Sequence, residues 1–474
     1  MTLAIAAAAL LAASNCIDAL CNAQTLAPYF EKLGTARGRT GRPVHILQIG
    51  DSHTAGDAIT GAWRDLLQAR YGSGGRGVLP PGRPYAGYLT HGATVSASDG
   101  WRISGTFGAG SAYPHPAIGM SGFSATSDRD GATMSLTADG GEAFDRFVIC
   151  GLAEPSAGTL SVRIGMDETH VDFDSNSARA QCRTITMATP QSVVEIVAQG
   201  RPVTITSWAT FRDGGGVALS NLGVVGSQLI HFARTDDAVL AEEFRAYRPD
   251  LIVVAFGTNE GFSPRLDPWS YEIVLRTQIG RLRRLAGNVP ILLLGAPDAS
   301  TRRSEMLANA PGPTPAPCAS GTGYVAAPLA PPSAQPAADA PGTLARIMSG
   351  IRAQMGLGDA TPEPASPACE PAPAQPPPTA PYAPAPPVAS SARGPLFPPA
   401  GLAAVREVQR RVAASLNIAF WDWQARMGGA CTAPRWVHAS PPLMRGDYVH
   451  YTSAGGHEIA TRLEADLERA AAAR

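Results

Sequence analysis

Lysine is almost missing from this chain: Lys32 is the only one, and arginine supplies the rest of the 38 basic residues. Against 39 acidic residues this leaves a formal net charge of -1. No broad cationic field is therefore available to attract nucleic acid. Long apolar runs are lacking too. Residues 3–13 of "MTLAIAAAALLAASNCIDALCNAQ" are too few to span a bilayer comfortably. Cysteine is scarce, and none of Cys16, Cys21, Cys150, Cys182, Cys318, Cys369 or Cys431 shows zinc-ligand spacing with histidines. What is present suits a globular protein: 45% hydrophobic residues can fill a sizeable core, and 474 residues allow more than one domain.

The short apolar run suits the core of an export signal, with Cys21-Asn22-Ala23 offering small residues for cleavage before Gln24. No Lys or Arg precedes the run, so an ordinary apolar helix is the other reading. Cys150 and Cys182 fall in one β-rich region and could pair in an oxidising compartment, or stay as two buried thiols.

The texture changes twice along the chain. "VHILQI" (44–49) reads as a buried strand, and 55–70 as a helix with Ile59, Trp63, Leu66 and Leu67 on one face. A Gly/Pro-rich loop follows Tyr71. From 88 to 215 come short β-like runs such as "FDRFVICGLA", "TLSVRIGM" and "PVTITSWATF", separated by turn residues, which suggest a sandwich or jelly roll. Near 217 the α/β pattern returns. "VALSNLGVVG", "DLIVVAFG", "VPILLLGAP" and "IAFWDW" read as strands, with helices at 228–247, 270–286, 401–416 and 453–473. Such alternation implies a parallel sheet with helices on both faces. Residues 311–400 hold 24 of the 42 prolines, a composition that cannot bury much apolar surface and predicts disorder. One island inside it, 343–357, has the spacing of a short amphipathic helix.

The chemistry gathers at strand ends. "ILQIGDSHTAGD" sets Ser52 between a strand and a helix, at the carboxyl edge of the sheet, where open α/β folds bind ligands. A serine there also caps helices, so this alone is weak. "RGDYVHYTSAGGHEIA" sets Asp447 and His450 three apart before the last helix. A serine nucleophile needs such a base, and the base needs an acid to fix its tautomer. "NLGVVGSQ" ends a strand near Gly226, and "VVAFGTNEG" ends one near Asn259, whose amide could donate to an oxyanion. His53 reads either as pocket lining or as support beneath the serine, Trp436 and His438 as cleft border, and His457 as an outward helix residue.

In this order the four segments resemble the SGNH (GDSL) hydrolase family. The resemblance covers about 24–75, 216–308 and 399–474. "GDSHTAGD", "GTNE" and "FWDWQARMGG" are closer still to periplasmic peptidoglycan O-acetylesterases, which carry a β-sandwich resembling a carbohydrate-binding module between the first two motifs. The family pattern often has Asp where this chain has Glu260. The resemblance implies a flavodoxin-like three-layer α/β/α fold with a parallel sheet and an inserted all-β, jelly-roll-like sandwich. It implies Ser52 as nucleophile, His450 as base and Asp447 as its partner. Ser52, Gly226 and Asn259 would form the oxyanion hole, with no metal and no cofactor.

The expected organisation is a leader at 1–23, hydrolase parts at 24–75, 216–308 and 399–474, the β insert at 76–215 and the Pro/Ala-rich insertion at 309–398. The expected activity is removal of O-acetyl groups from an acetylated polysaccharide, peptidoglycan foremost, by an exported, periplasmic enzyme. Nucleic acid is not an expected partner, and neither is a membrane span beyond the leader. The alternatives are a lipase, arylesterase or thioesterase of the same family, or a glycan-binding protein with an inert hydrolase. Tyr88, Trp101, Tyr113 and Trp208 of the insert are available to stack on sugar rings.

Overall fold

Val44–Gly50, Val217–Gly223, Leu251–Ala255, Ile291–Leu294 and Ala419–Trp421 are buried at every residue. Strands covered on both faces have no need to alternate, which is why they read as continuous apolar runs. The computed structural model describes residues 16–37, 41–108, 110–112, 115–302, 316–318 and 394–474. Apart from Gly394, these belong to one compact unit. The five strands pair in parallel. Val217–Gly223 lies at one edge, followed by Val44–Gly50, Leu251–Ala255, Ile291–Leu294 and Ala419–Trp421. Counted along the chain this is 2-1-3-4-5, so crossovers leave the first strand in opposite directions and open a crevice between the first and third.

Helices cover both faces. Ala58–Tyr71 and Ser453–Ala472 bury Trp63, Leu67, Ile459 and Leu463 on one side. Asp237–Tyr247, Pro268–Ala286 and Ala400–Leu416 bury Leu240, Leu275, Ile279 and Val405 on the other. One expected helix is shortened and another is broken. The first, expected at 55–70, begins at Ala58, behind a separate Ser52–Ala55 turn, with Asp57 between them at a left-handed φ of 51°. The second divides into Leu229–Phe232 and Asp237–Tyr247, because Asp236 caps the latter by accepting from Ala238 and Val239 N–H.

At the far edge, Cys16–Ile17 and Leu20–Cys21 form a hairpin closed by a Cys16–Cys21 disulfide. Leu20–Cys21 pairs antiparallel with Ala419–Trp421, and Leu20 is fully buried. Residues 1–15 of the anticipated leader lie outside the described residues, whereas Cys16–Ile17 and Leu20–Cys21 belong to the sheet edge and Ala23 opens the short helical turn Ala23–Leu26. Of the Pro/Ala-rich insertion only 316–318 and 394–398 are described, and 343–357 lies outside them. These described ends are anchored. Cys318 is disulfide-bonded to Cys431, its N–H donates to Leu396 O at 2.7 Å, and Thr301 exchanges backbone bonds with Phe397. Among the described residues, no helix is long and apolar enough to cross a membrane.

Between Gly77 and Phe211 the chain builds two antiparallel sheets, one of five strands and one of six. They share an apolar core that includes Leu136, Leu160 and Ile196 from one sheet and Phe147, Ile149 and Trp208 from the other. Cys150 and Cys182 pair across neighbouring strands. The six-stranded sheet turns its other face to the Asp237–Tyr247 helix, where Val148, Ala209 and Phe211 meet Leu240 and Phe244. Glu243 of that helix is buried and accepts from Met120 N–H at 2.6 Å and Thr206 Oγ1 at 2.8 Å. The insert is thus docked by a buried polar clamp as well as by apolar contact.

Candidate active site

The first and last thirds of the chain meet at the crevice. The helix Ser453–Ala472 crosses Ala58–Tyr71 so closely that a Cβ on Gly456 would stand 2.4 Å from Ala58 O. Trp63 Nε1 donates to Glu464 Oε2 at 2.8 Å across the same contact. The loop before the last helix is thereby brought over the strand end that carries Ser52. His450 Nε2 lies 2.9 Å from Ser52 Oγ, and His450 Nδ1 lies 2.8 Å from Asp447 Oδ2. The other Asp447 oxygen accepts from the backbone N–H groups of Val449 at 3.0 Å and His450 at 2.9 Å. Burial would raise the Asp447 pKa, but the imidazole and these two N–H groups outweigh it and bring it down to about 2. The carboxylate is therefore ionised at neutral pH and fixes the His450 ring with Nε2 turned to the serine. Asp447 and His450 remain reachable, with side chains 46% and 38% exposed.

Under this relay lies a second pair. Asp51 caps the Ser52–Ala55 turn by accepting from His53 N–H at 2.9 Å. His53 Nδ1 stands 3.2 Å from Asp51 Oδ1, and its Nε2 stands 3.0 Å from Val449 O. Burial would lower the His53 pKa, but the Asp51 bond and charge and the Val449 carbonyl together raise it. His53 thus pins the loop between Asp447 and His450 from below and also lines the cavity, so both readings of this residue hold.

Gly226 and Asn259 are tied to each other's neighbourhood. Gly226 has a left-handed φ of 76°, and Asn259 Nδ2 donates to Ser227 O at 2.8 Å. A Cβ on Gly226 would meet the Phe107 ring at 2.9 Å, and Phe107 itself stacks on His231. The β insert therefore backs this turn directly. Glu260 is buried and accepts from Leu229 N–H at 2.7 Å, so it holds the same segment one step further on. Burial, helped by the charge of Asp51 and offset by backbone bonds, pushes its pKa up to about 7.

Ser52 and His450 open into a cavity of about 260 Å³ whose walls include Ile59, Tyr85, Leu89 and Arg445. Tyr85 and Leu89 come from the strand-poor stretch entering the insert, and no motif singled them out. The aromatic residues named from sequence fall elsewhere. Trp208 is fully buried in the insert core, Trp101 donates Nε1–H to Thr133 O, and Tyr88 packs half-buried on that core. Tyr113 lies outside the described residues. Trp436, expected at the cleft border, is instead fully buried, while His438 is exposed and does not line the cavity. His457 is exposed on the last helix.

A solved peptidoglycan O-acetylesterase superposes on this chain with a TM-score of 0.64 and 21% identity, over 94% of this chain and 97% of that one. The two share one fold. A family two carbohydrate esterase from Cellvibrio japonicus (17% identity, 43% of this chain, 79% of that one) and a family 29 carbohydrate-binding module (10%, 28% and 89%) align at TM-scores of 0.17 and 0.19, too low to argue from. No family model and no curated protein matches the sequence.

Proposed function

We propose that the protein is a serine esterase that removes O-acetyl groups from a carbohydrate polymer, peptidoglycan foremost, through an acyl-enzyme. The observation that carries this is the unbroken relay from Asp447 through His450 to Ser52, with both hydrogen bonds at 2.8–2.9 Å beside an open cavity. Ser52 Oγ attacks the acetyl carbonyl as His450 Nε2 takes its proton. The oxyanion is held by the N–H groups of Ser52 and Gly226 and by the Asn259 amide, one hydrogen of which is free of the Ser227 bond. His450 then protonates the departing sugar oxygen, and the acetyl group stays on Ser52. Water, deprotonated by His450, attacks that ester and releases acetate. Asp447 stays ionised throughout and steadies the imidazolium.

The polymer reading draws on the shared fold with the peptidoglycan O-acetylesterase. The 2-1-3-4-5 order favours a flavodoxin-like hydrolase assembled from 24–75, 216–308 and 399–474, and the two-sheet insert favours a jelly-roll-like sandwich that binds carbohydrate. Three disulfides among the described residues favour an oxidising, exported setting. Cleavage after Ala23 would remove the Leu20–Cys21 strand, so the proposed processing point lies upstream of Cys16.

Acetate release from acetylated peptidoglycan and from acetylated xylan should be compared for the wild type and Ser52→Ala. We expect faster release from peptidoglycan, and a loss of about three decades or more in the variant at unchanged Tm. Near-normal release by Ser52→Ala would sink the mechanism.

A further inference from the structure

Arg445 stands out among the cavity walls. It is exposed, and its guanidinium makes no hydrogen bond or ion pair among the described residues. Its backbone, in contrast, is fixed to the catalytic loop: its N–H donates to His450 O at 2.7 Å, and its carbonyl accepts Tyr448 N–H at 3.0 Å. A free cation is thus held at a set distance along the chain from the base, on the wall of the cavity that takes the ester. Among the described residues, no Asp or Glu lines that cavity, and Arg445 is its only guanidinium. Asp447, two residues away, is already engaged by His450 and two N–H groups. Beside Ser52 and the histidines the walls offer apolar surface, with Leu89 and Val225 each more than half exposed. Among its described lining residues, the cavity therefore presents a planar double donor beside apolar side chains and no competing carboxylate.

We infer that Arg445 is a specificity-determining residue that pairs with a carboxylate on the substrate, so that the preferred ester is an O-acetyl group on an anionic sugar. The inference rests on the glycan esterase reading and narrows it. Arginine presents its N–H groups in the fork that a carboxylate accepts, which suits it to this role. In peptidoglycan the carboxylate has two sources, the acid group of the sugar itself and the peptide attached to it. Apolar Leu89 and Val225 would then face the ring or the acetyl methyl, while the anion lies toward Arg445. A neutral acetylated polymer would find the cation unpaired and gain nothing from it.

The test measures kcat/KM of the full chain, as wild type, Arg445→Gln and Arg445→Lys, on four substrates. These are 4-nitrophenyl acetate, acetylated xylan, O-acetylated peptidoglycan strands bearing their peptides, and the same strands with peptides removed. We expect Arg445→Gln to lower the ratio of strand to aryl-acetate activity roughly tenfold, mainly through KM. Arg445→Lys should recover part of it, and added salt should shrink the wild-type preference. A loss confined to peptide-free strands assigns the carboxylate to the sugar, and one confined to peptide-bearing strands assigns it to the peptide. A ratio unchanged in Arg445→Gln, or an equal loss on xylan, overturns the pairing. A wild type active on the aryl acetate but idle on every glycan overturns the glycan reading itself.

Discussion

Asn259 uses one amide hydrogen to hold Ser227 O at 2.8 Å, and in the proposed mechanism the other donates to the oxyanion. Asn259→Ala should therefore lower kcat by roughly 100- to 1,000-fold, the usual effect of one lost oxyanion donor. Single-turnover and steady-state assays would separate this from a change in KM alone, which would make Asn259 only a turn residue. Its neighbour Glu260 invites a pH measurement. Its folded pKa, about 7, lies above the ordinary 4.5, so the folded state binds the extra proton between those values. The associated stability is complete below about pH 4.5 and disappears as pH rises through about 7. Glu260→Gln mimics the protonated form. Its Tm relative to wild type should climb between those two pH values and level off above them, and a constant difference would refute the shift. Ser52, Asp447 and His450 were legible because each sits in a local motif at a strand end or before a helix. Arg445, Tyr85 and the His53–Val449 bond were not, because each is a single residue whose meaning depends on what the fold brings beside it.

Among the elements, the contact between the helices Ala58–Tyr71 and Ser453–Ala472 matters most to the site. Gly456 permits it, since a Cβ there would fall 2.4 Å from Ala58 O. Gly456→Ala should push the last helix outward and lengthen the His450–Ser52 bond. We expect a loss of about 10- to 100-fold in kcat with the protein still folded, because misplacement by about 1 Å is enough for such an effect. Unchanged turnover would mean that the loop adjusts independently of the helix. The five parallel strands were readable as uninterrupted apolar runs. The breaks at Asp57 and Asp236 were not, because both residues lie inside segments whose apolar spacing continues to look helical. The edge hairpin was hidden for a different reason: its apolar residues adjoin a run that reads as a leader.

For the molecule as a whole, the Pro/Ala-rich stretch leaves and re-enters at adjacent points. Cys318 is bridged to Cys431 and bonded to Leu396, so the two ends are already closed without the chain between them. Replacing 325–393 with a short linker should leave aryl acetate turnover within about twofold, since loop length contributes little to closure entropy. Aggregation or lost turnover would show that the removed residues pack on the enzyme. The β insert was recognisable as β from its runs and turns. Its role in backing Gly226 through Phe107 was not, because that contact spans two distant segments. Distance along the chain also bears on when the enzyme can work. Ser52 and its proposed base His450 are 398 residues apart, and His450 comes just before the helix Ser453–Ala472. On the proposed mechanism, a ribosome that has passed Ser52 but not His450 has made a nucleophile with nothing to activate it. A product that stops short of His450 would then be silent, and hydrolysis would wait for the segment that carries the base.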